Sequence, residues 1–269
     1  MRVAVLASGS SGNCTYVEAA GARLLIDAGI STVEIARRLA RVPRGPRLEQ
    51  IDAVLLTHEH ADHVASAWAL AARGLRVYAT EGTRVRAGLA AALTVVPGRR
   101  FEVGEVAVTP VRVPHDAAEP VGYVVEGEGA RIGLLTDCGH VTAEIEESFA
   151  TLDLLVLESN HAERLLRGGP YPASLKRRIG SRLGHLSNEQ AARLLRAFRR
   201  GMPRALVLAH LSRVNNRPML ARAAAAEAFG RRSIPIAIAH ARGCAVGRIH
   251  RGAIDFDAVP AGRQLELFS

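Results

Sequence analysis

Apolar residues recur at every second position in short runs, and these runs alternate with stretches where they recur every third or fourth. The two spacings put side chains on one face of a strand and one face of a helix respectively, so the chain predicts strands and helices in alternation. Strand patterning covers residues 2–7, 14–18, 23–27, 51–56, 76–80, 106–113, 121–126, 131–136, 153–158, 204–209 and 234–239. Helical spacing covers 31–41, 62–73, 81–92, 142–149, 187–200 and 216–229. Ser31 with Glu34, and Ser187 with Gln190, predict capping boxes at two of these starts. The result is an α/β chain with strands enough for two sheets. Residues 1–250 read as one domain without repeat or linker, and 251–269 as a detachable tail.

Composition changes this picture little, and charge changes it more. With 269 residues, 48% of them hydrophobic, the chain can bury a large core. No apolar stretch reaches membrane-spanning length, and Met1–Leu6 runs into a Ser–Gly loop too early for a signal peptide, so a cytoplasmic protein with no membrane contact is expected. Cys14, Cys138 and Cys244 are odd in number and widely spaced, which suits small buried residues in a reducing compartment. The formal charge of +9 favours a polyanionic partner, although Lys176 is the only lysine and an Ala/Arg-rich coding bias accounts for part of it.

The candidate chemistry is concentrated after the apolar run 51–56. Thr57-His58-Glu59-His60-Ala61-Asp62-His63 places three imidazoles and a carboxylate at a strand end. On extended backbone, positions two apart share a side, so His58 and His60 can grip one cation while Asp62 and His63, past the turn, reach a second. Glu59 and Ala61 should point away. The competing reading makes these residues caps and surface groups of a helix beginning near Asp62. Three further apolar strands end in a possible ligand: His115 after 106–113, Asp137 after 131–136, and His210 after 204–209. A site assembled along one edge of packed sheets has this look.

In order and spacing these residues resemble the metallo-β-lactamase fold, an αβ/βα four-layer sandwich of two mixed sheets flanked by helices. The resemblance implies that His58, His60 and His115 bind a first divalent metal ion, that Asp62, His63 and His210 bind a second, and that Asp137 bridges them. Histidine at both early positions favours zinc or manganese over the iron of the flavoprotein members. Ser8-Gly9-Ser10-Ser11-Gly12-Asn13, His115-Asp116, Glu158-Ser159-Asn160-His161, Tyr171-Pro172, Gly184-His185-Leu186-Ser187-Asn188 and His210-Leu211-Ser212 are similar to segments of the YycJ/WalJ group. That likeness implies a 5′-to-3′ exonuclease on double-stranded DNA, acting in repair or replication. The chain is too short for the inserted domain of the β-CASP nucleases.

Phosphodiester hydrolysis accounts for the remaining polar residues, since paired cations activate water and clamp non-bridging oxygens. His185, just ahead of the helix starting near Ser187, is the expected general acid, and Glu158 is expected to orient it and keep it protonated. The pair resembles the His–Glu dyad of tRNA 3′-processing enzymes. Asp62, His185 and Glu158 form the expected catalytic set. Alternatively His185 is only a capping residue. Asn13, Asn160, His161, Lys176, Arg178, Arg182 and Asn215 are the expected substrate contacts, with a solvated helix face as the alternative for the basic cluster. At the end, Gln264-Leu265-Glu266-Leu267-Phe268 resembles the peptide by which bacterial replication and repair proteins dock on the DNA sliding clamp, Gln264, Leu265, Leu267 and Phe268 making the contact. DNA is favoured over RNA as partner. A ribonuclease or a thioester hydrolase of the same fold, or a metal-stabilised adaptor carrying the clamp peptide, are the competing functions.

Overall fold

In the computed structural model, residues 1–198, 201–241, 245–250 and 253–258 are described. Their strands, in chain order, are β1 (Arg2–Ala7), β2 (Cys14–Ala19), β3 (Ala22–Ile26), β4 (Ala53–Leu55), β5 (Arg76–Thr80), β6 (Leu93–Val95), β7 (Phe101–Val103), β8 (Val106–Arg112), β9 (Val121–Gly127), β10 (Ala130–Leu135), β11 (Leu154–Glu158), β12 (Ala205–Ala209), β13 (Ile236–Ile238), β14 (Ala245–His250) and β15 (Ala253–Ala258). They form two mixed sheets, ordered β15-β14-β1-β2-β3-β4-β5-β6 and β13-β12-β11-β10-β9-β8-β7.

Alternating side chains decide the layering. Val3, Val5, Val17, Leu24, Ile26 and Leu55 from the first sheet meet Val106, Val108, Tyr123, Ile132, Val156 and Val207 from the second in one core between the sheets. The opposite face of the second sheet packs against helices α5 (Ala143–Ser148), α8 (Asn188–Ala197) and α9 (Pro218–Phe229). The outer face of the first sheet packs against α1 (Thr32–Leu39) and α3 (Ala67–Ala72). Helix, sheet, sheet, helix is the four-layer sandwich that the sequence predicts. The remaining α-helices are α2 (Ala61–Val64), α4 (Glu81–Arg86), α6 (Glu163–Gly168) and α7 (Ala173–Ile179).

Strand direction places the functional edge. β3, β4 and β5 run parallel in the first sheet, and β10, β11 and β12 run parallel in the second. β8 is antiparallel to β9, which is antiparallel to β10, so β8 also runs with β10. The carboxyl ends of these strands are therefore where Asp27, the 58–63 cluster, His115, Asp137, Glu158 and His210 leave the sheets. Tyr123, fully buried, donates its hydroxyl to the Leu56 carbonyl at 2.8 Å, and the Val121 N–H donates to the Thr57 carbonyl at 3.0 Å. These two bonds, each contributing about 1 kcal/mol, fix the start of the histidine cluster to the opposite sheet.

Several boundaries depart from the sequence reading. β6 and β7 are three-residue edge strands, too short for a period to show, and β14 pairs antiparallel with β1 although Gly247 interrupts its pattern. The segment expected to leave the domain after 250 continues as β15, pairing Phe256 with Gly247 and Ile254 with Ile249, so the sheet runs to Ala258. The helix expected over 62–73 divides into α2 and α3 because the Ser66 N–H bonds Ala28 O at 2.8 Å and its hydroxyl bonds Ile30 O at 2.6 Å. α4 stops at Arg86, ahead of Gly88 at φ 67°. Only half of the first capping box forms: Ser31 accepts from the Glu34 N–H, but the Glu34 carboxylate turns to Arg37 and Arg38. The Ser187–Gln190 box is complete. Cys14 and Cys138 are buried free thiols, whereas Cys244 and the clamp-peptide residues Gln264, Leu265, Leu267 and Phe268 lie outside the described residues. No helix among the described residues is long and apolar enough to cross a membrane.

Candidate metal centre

The loop after β4 turns tightly into α2, whose first residues are Ala61 and Asp62. That turn separates the cluster into two directions. His58 and His60 converge on His115, their potential ligand atoms all within 4.8 Å of one another, and Asp62 and His63 converge on His210 within the same limit. Asp137 lies between, grouped with His58 and His63 on one side and with His210, His185 and Glu158 on the other. The Oδ2 of Asp137 is 3.2 Å from His63 Nε2, and its Oδ1 is 3.9 Å from His115 Nε2. Spacings of 3–4 Å between donor atoms are the edges of a coordination shell with bonds near about 2.1 Å. Glu59 points away as expected, its carboxylate accepting from the Ala118 N–H at 2.8 Å.

Four rings share one arrangement: Nδ1 is tied to the protein while Nε2 faces the cluster. His58 Nδ1 meets the Thr57 hydroxyl at 3.0 Å, and His63 Nδ1 donates to Asp27 Oδ2 at 2.7 Å. His115 Nδ1 donates to the Gly184 carbonyl at 3.0 Å, and His210 Nδ1 donates to Glu158 Oε1 at 2.9 Å. Fixing one nitrogen sets the tautomer and aims the lone pair of the other, as in metal-ligating histidines. Among the described residues, His58 Nε2, His210 Nε2 and Asp137 Oδ2 are buried without any hydrogen-bond partner. Orphaned polar atoms at that depth are costly, and divalent cations held by the two triads would satisfy all three. The donor set of imidazole and carboxylate suits zinc, manganese or similar ions.

Electrostatics point the same way. Burial works against charge on His63, yet the Asp27 and Asp137 carboxylates outweigh it and push its pKa up to about 10. Burial likewise opposes charge on His210, and Asp137, Asp62 and Glu158 hold it well above the usual imidazole range. His58, with burial dominant, is held well below. A cluster that draws protons onto buried imidazoles has surplus negative charge, and that surplus is what bound cations neutralise.

Backbone geometry aims these groups. Asp27, Asp137 and His210 each leave a strand in the left-handed region, at φ 61°, 55° and 53°. The conformation costs a non-glycine residue about 1–2 kcal/mol, and it turns each side chain into the edge of the sandwich. At Gly29 the constraint is steric: a Cβ would overlap the Asp62 carbonyl, so only glycine lets the loop after β3 pass under α2.

Asp27 was not among the expected site residues. It accepts from the Thr57 N–H at 2.8 Å, from the Thr57 hydroxyl and from His63, bracing the cluster from beneath. The signal was present: an acidic residue directly after an apolar strand is the pattern that picked out Asp137. Replacing Asp27 with Asn should weaken metal binding roughly 10- to 100-fold, measured by chelator competition, whereas unchanged affinity would mean that the Nδ1 partner of His63 is dispensable.

His185 donates Nδ1 to Glu158 Oε1 at 2.8 Å, and its ring centroid lies 5.2 Å from those of both His115 and His210. It therefore stands across from the 58–63 cluster, beside one member of each triad. Glu158 is fully buried and also accepts from the Cys138 and Leu186 N–H groups, both at 3.0 Å. One carboxylate thus orients both His185 and His210.

The expected substrate contacts divide into two sets. Arg178 donates to Asp116 Oδ2 at 2.6 Å, and Asp116 Oδ1 lies 3.4 Å from His115 Nε2, so this guanidinium sits half-exposed at the rim of the centre. Arg182 is held against His140 at 2.9 Å, and Lys176 caps the Arg167 carbonyl at 2.9 Å. Asn13, Asn160 and Asn215, in contrast, are buried. The Asn13 amide contacts His63 Nε2 at 3.0 Å and Asp62 Oδ2 at 3.2 Å. Asn160 donates to the His210 carbonyl at 2.9 Å, and the Asn215 amide packs beneath Gly169. Asn13 and Asn160 hold ligands and loops, as short amide side chains next to a strand end do when neighbouring groups there need partners, whereas among the described residues neither amide atom of Asn215 has a hydrogen-bond partner. His161 is buried as well, and lines a separate cleft. Ser8, unnoticed as an individual residue, accepts from the His210 N–H at 2.7 Å.

The family model for the beta-lactamase superfamily domain matches residues 22–211. Exodeoxyribonuclease WalJ of Streptococcus pneumoniae serotype 2 is 36% identical over 225 residues, covering 80% of this chain and 83% of that protein. Exodeoxyribonuclease YycJ of Bacillus anthracis is 36% identical over 232 residues, covering 82% and 86%. The crystal structure of Zn²⁺-bound PqqB from Methylobacterium extorquens superposes with a TM-score of 0.68 at 23% identity, covering 91% of this chain and 99% of that one. The two-sheet sandwich is thus that of the beta-lactamase superfamily, and this chain belongs to it, in the group of the exodeoxyribonucleases WalJ and YycJ.

Proposed function

We infer that this chain is a metal-dependent exodeoxyribonuclease that degrades double-stranded DNA from the 5′ side in repair or replication. The likeness to two proteins named exodeoxyribonucleases over four-fifths of the chain supports the reaction class. The observation that carries the mechanism is the position of His185, beside both triads and bonded to a buried carboxylate. His58, His60 and His115 would hold one divalent cation, Asp62, His63 and His210 the other, with Asp137 shared; zinc and manganese both suit these donors. When bound, such a pair supplies an activated water and neutralises charge on the phosphate.

The chain's own residues do the rest. Glu158 holds the proton of His185 on Nδ1 and favours the charged ring, so Nε2 can deliver a proton to the leaving oxygen of the strand. Arg178, steadied by Asp116, grips a neighbouring phosphate in a charge-assisted contact. The formal charge of +9 draws the polyanion in. End-labelled duplex DNA and structured RNA, incubated with the protein and Mn²⁺ or Zn²⁺, test the reading: mononucleotides should be released from the 5′ end of DNA. Cleavage confined to RNA would replace it with the ribonuclease reading. We further propose that Gln264, Leu265, Leu267 and Phe268 dock on the bacterial sliding clamp. Truncation before Gln264 should abolish binding to purified clamp while free DNA is still hydrolysed, and retained binding would refute the docking.

A further inference from the structure

The short loop 169–172 joins α6 to α7, and these two helices, with α8, wall a cleft of about 620 Å³. Arg167, Lys176 and Arg177 line it against a single carboxylate, Glu163, and Leu166 and Ala173 make its apolar part. The Arg167 and Arg177 guanidiniums are exposed and, among the described residues, carry no hydrogen bond or ion pair. His161 also lines the cleft, with 3% of its surface exposed, and its Nδ1 is buried without a partner. Two unengaged guanidiniums and a lysine that line one cleft with a buried histidine, whose ring nitrogen has no partner among the described residues, have the chemistry to hold an anion.

The cleft is tied to the metal centre through its histidine. His161 follows the dyad residue Glu158 by three positions, and its carbonyl accepts from the Asn188 N–H at 2.8 Å, at the start of the helix that follows His185. Burial lowers the His161 pKa, so a neutral ring faces the cleft and positive charge comes from the arginines and Lys176. Tyr171 and Ala173, on either side of Pro172, face different hollows. Ala173 lines this cleft, and Tyr171 lines a second hollow of about 810 Å³ with Ser8–Ser11 and Arg213. Ser8 in that second hollow bonds His210, so the second hollow adjoins the metal centre.

A continuous strand carries one charge per phosphate, whereas a phosphate at a chain end is a dianion with three free oxygens and rewards several cations at once. We propose that the α6–α7 cleft seats the terminal phosphomonoester of the strand being degraded, with Leu166 and Ala173 against its nucleoside. The proposal rests on the nuclease reading and adds end recognition to it.

The test uses full-length, metal-loaded protein on duplex DNA whose ends carry a 5′-phosphate, a 3′-phosphate or hydroxyls only. One phosphate should accelerate degradation by at least roughly tenfold, the effect of one charge-assisted hydrogen bond, and so identify the end that is seated. The double variant Arg167→Ala/Arg177→Ala, at two exposed positions that leave the core intact, should lose that preference. Equal rates on all ends, or a preference that survives the double variant, would overturn the cleft assignment while leaving the nuclease reading in place. If no duplex is degraded, the nuclease reading fails and calorimetry decides the cleft separately. Thymidine 5′-monophosphate should then bind at least roughly tenfold more tightly than thymidine, with the advantage lost in the double variant. Equal binding of the two would overturn it.

Discussion

Asp137→Ala should abolish binding of both metal ions and reduce nuclease turnover by roughly 10³-fold or more. The expectation follows from the carboxylate's position, since Asp137 is grouped with His58 and His63 on one side of the centre and with His210 on the other. It is buried, and the His210 and His63 rings hold it well below the usual carboxylate range against the opposing effect of burial. Removing it would take the shared ligand and its negative charge from between two bound cations, which would then repel one another. Elemental analysis of purified protein alongside the rate on duplex DNA makes the measurement. Asp137→Asn, which keeps the volume, separates loss of ligation from loss of fold. Two ions retained with full activity would remove Asp137 from its bridging place.

His185→Ala should leave metal content intact and slow cleavage by about 10²–10⁴-fold, equivalent to about 3–5 kcal/mol of transition-state stabilisation. Burial opposes charge on His185, but Glu158 outweighs it and raises the ring's pKa above the ordinary 6.5. The proton to be donated is therefore retained to higher pH than on an ordinary imidazole and is lost as pH climbs through the raised value. Burial also opposes charge on Glu158, yet the His185 and His210 rings hold it down at about 2, so it stays anionic across any assay range. Glu158→Gln should accordingly move the alkaline limb of the rate profile to lower pH. An alkaline limb unmoved by that change, or turnover unmoved by His185→Ala, would assign the proton to another group. For stability the two partners act at opposite ends of the scale. The raised His185 contributes fully below pH 6.5 and loses its contribution as pH rises through its folded value. The depressed Glu158 contributes above its unfolded value of 4.5 and loses its contribution as pH falls towards about 2.

What could be read in advance was whatever depends on local order along the chain. Histidines at positions two apart, and acidic or imidazole residues directly after apolar strands, are properties of short segments, and the parallel strands then bring those segments to one edge. Side-chain direction is another matter. Asn13 and Asn160 look like surface polar residues next to a site, but whether an amide turns outward or inward depends on which carbonyls and ligands need partners once distant loops arrive. Asp27 shows the converse: its local pattern matched that of Asp137, and only the fold reveals that it supports His63 from below rather than facing the centre. The break between α2 and α3 is equally non-local, since Ser66 is drawn to backbone groups of residues 28 and 30. Edge strands of three residues, such as β6 and β7, are fixed by their neighbours and carry too few positions to display a period.

Each triad takes two members from the segment after β4, His58 and His60 from the loop and Asp62 and His63 from α2, and one from the facing sheet, His115 in one case and His210 in the other. An ion held this way rivets the halves of the sandwich together across their open margin, where the apolar filling between them gives out. Loading with metal and resistance to heat are consequently linked quantities: the melting temperature should climb with free ion concentration, and chelation should let the two leaves shear apart before either one loses its own ladder of strands.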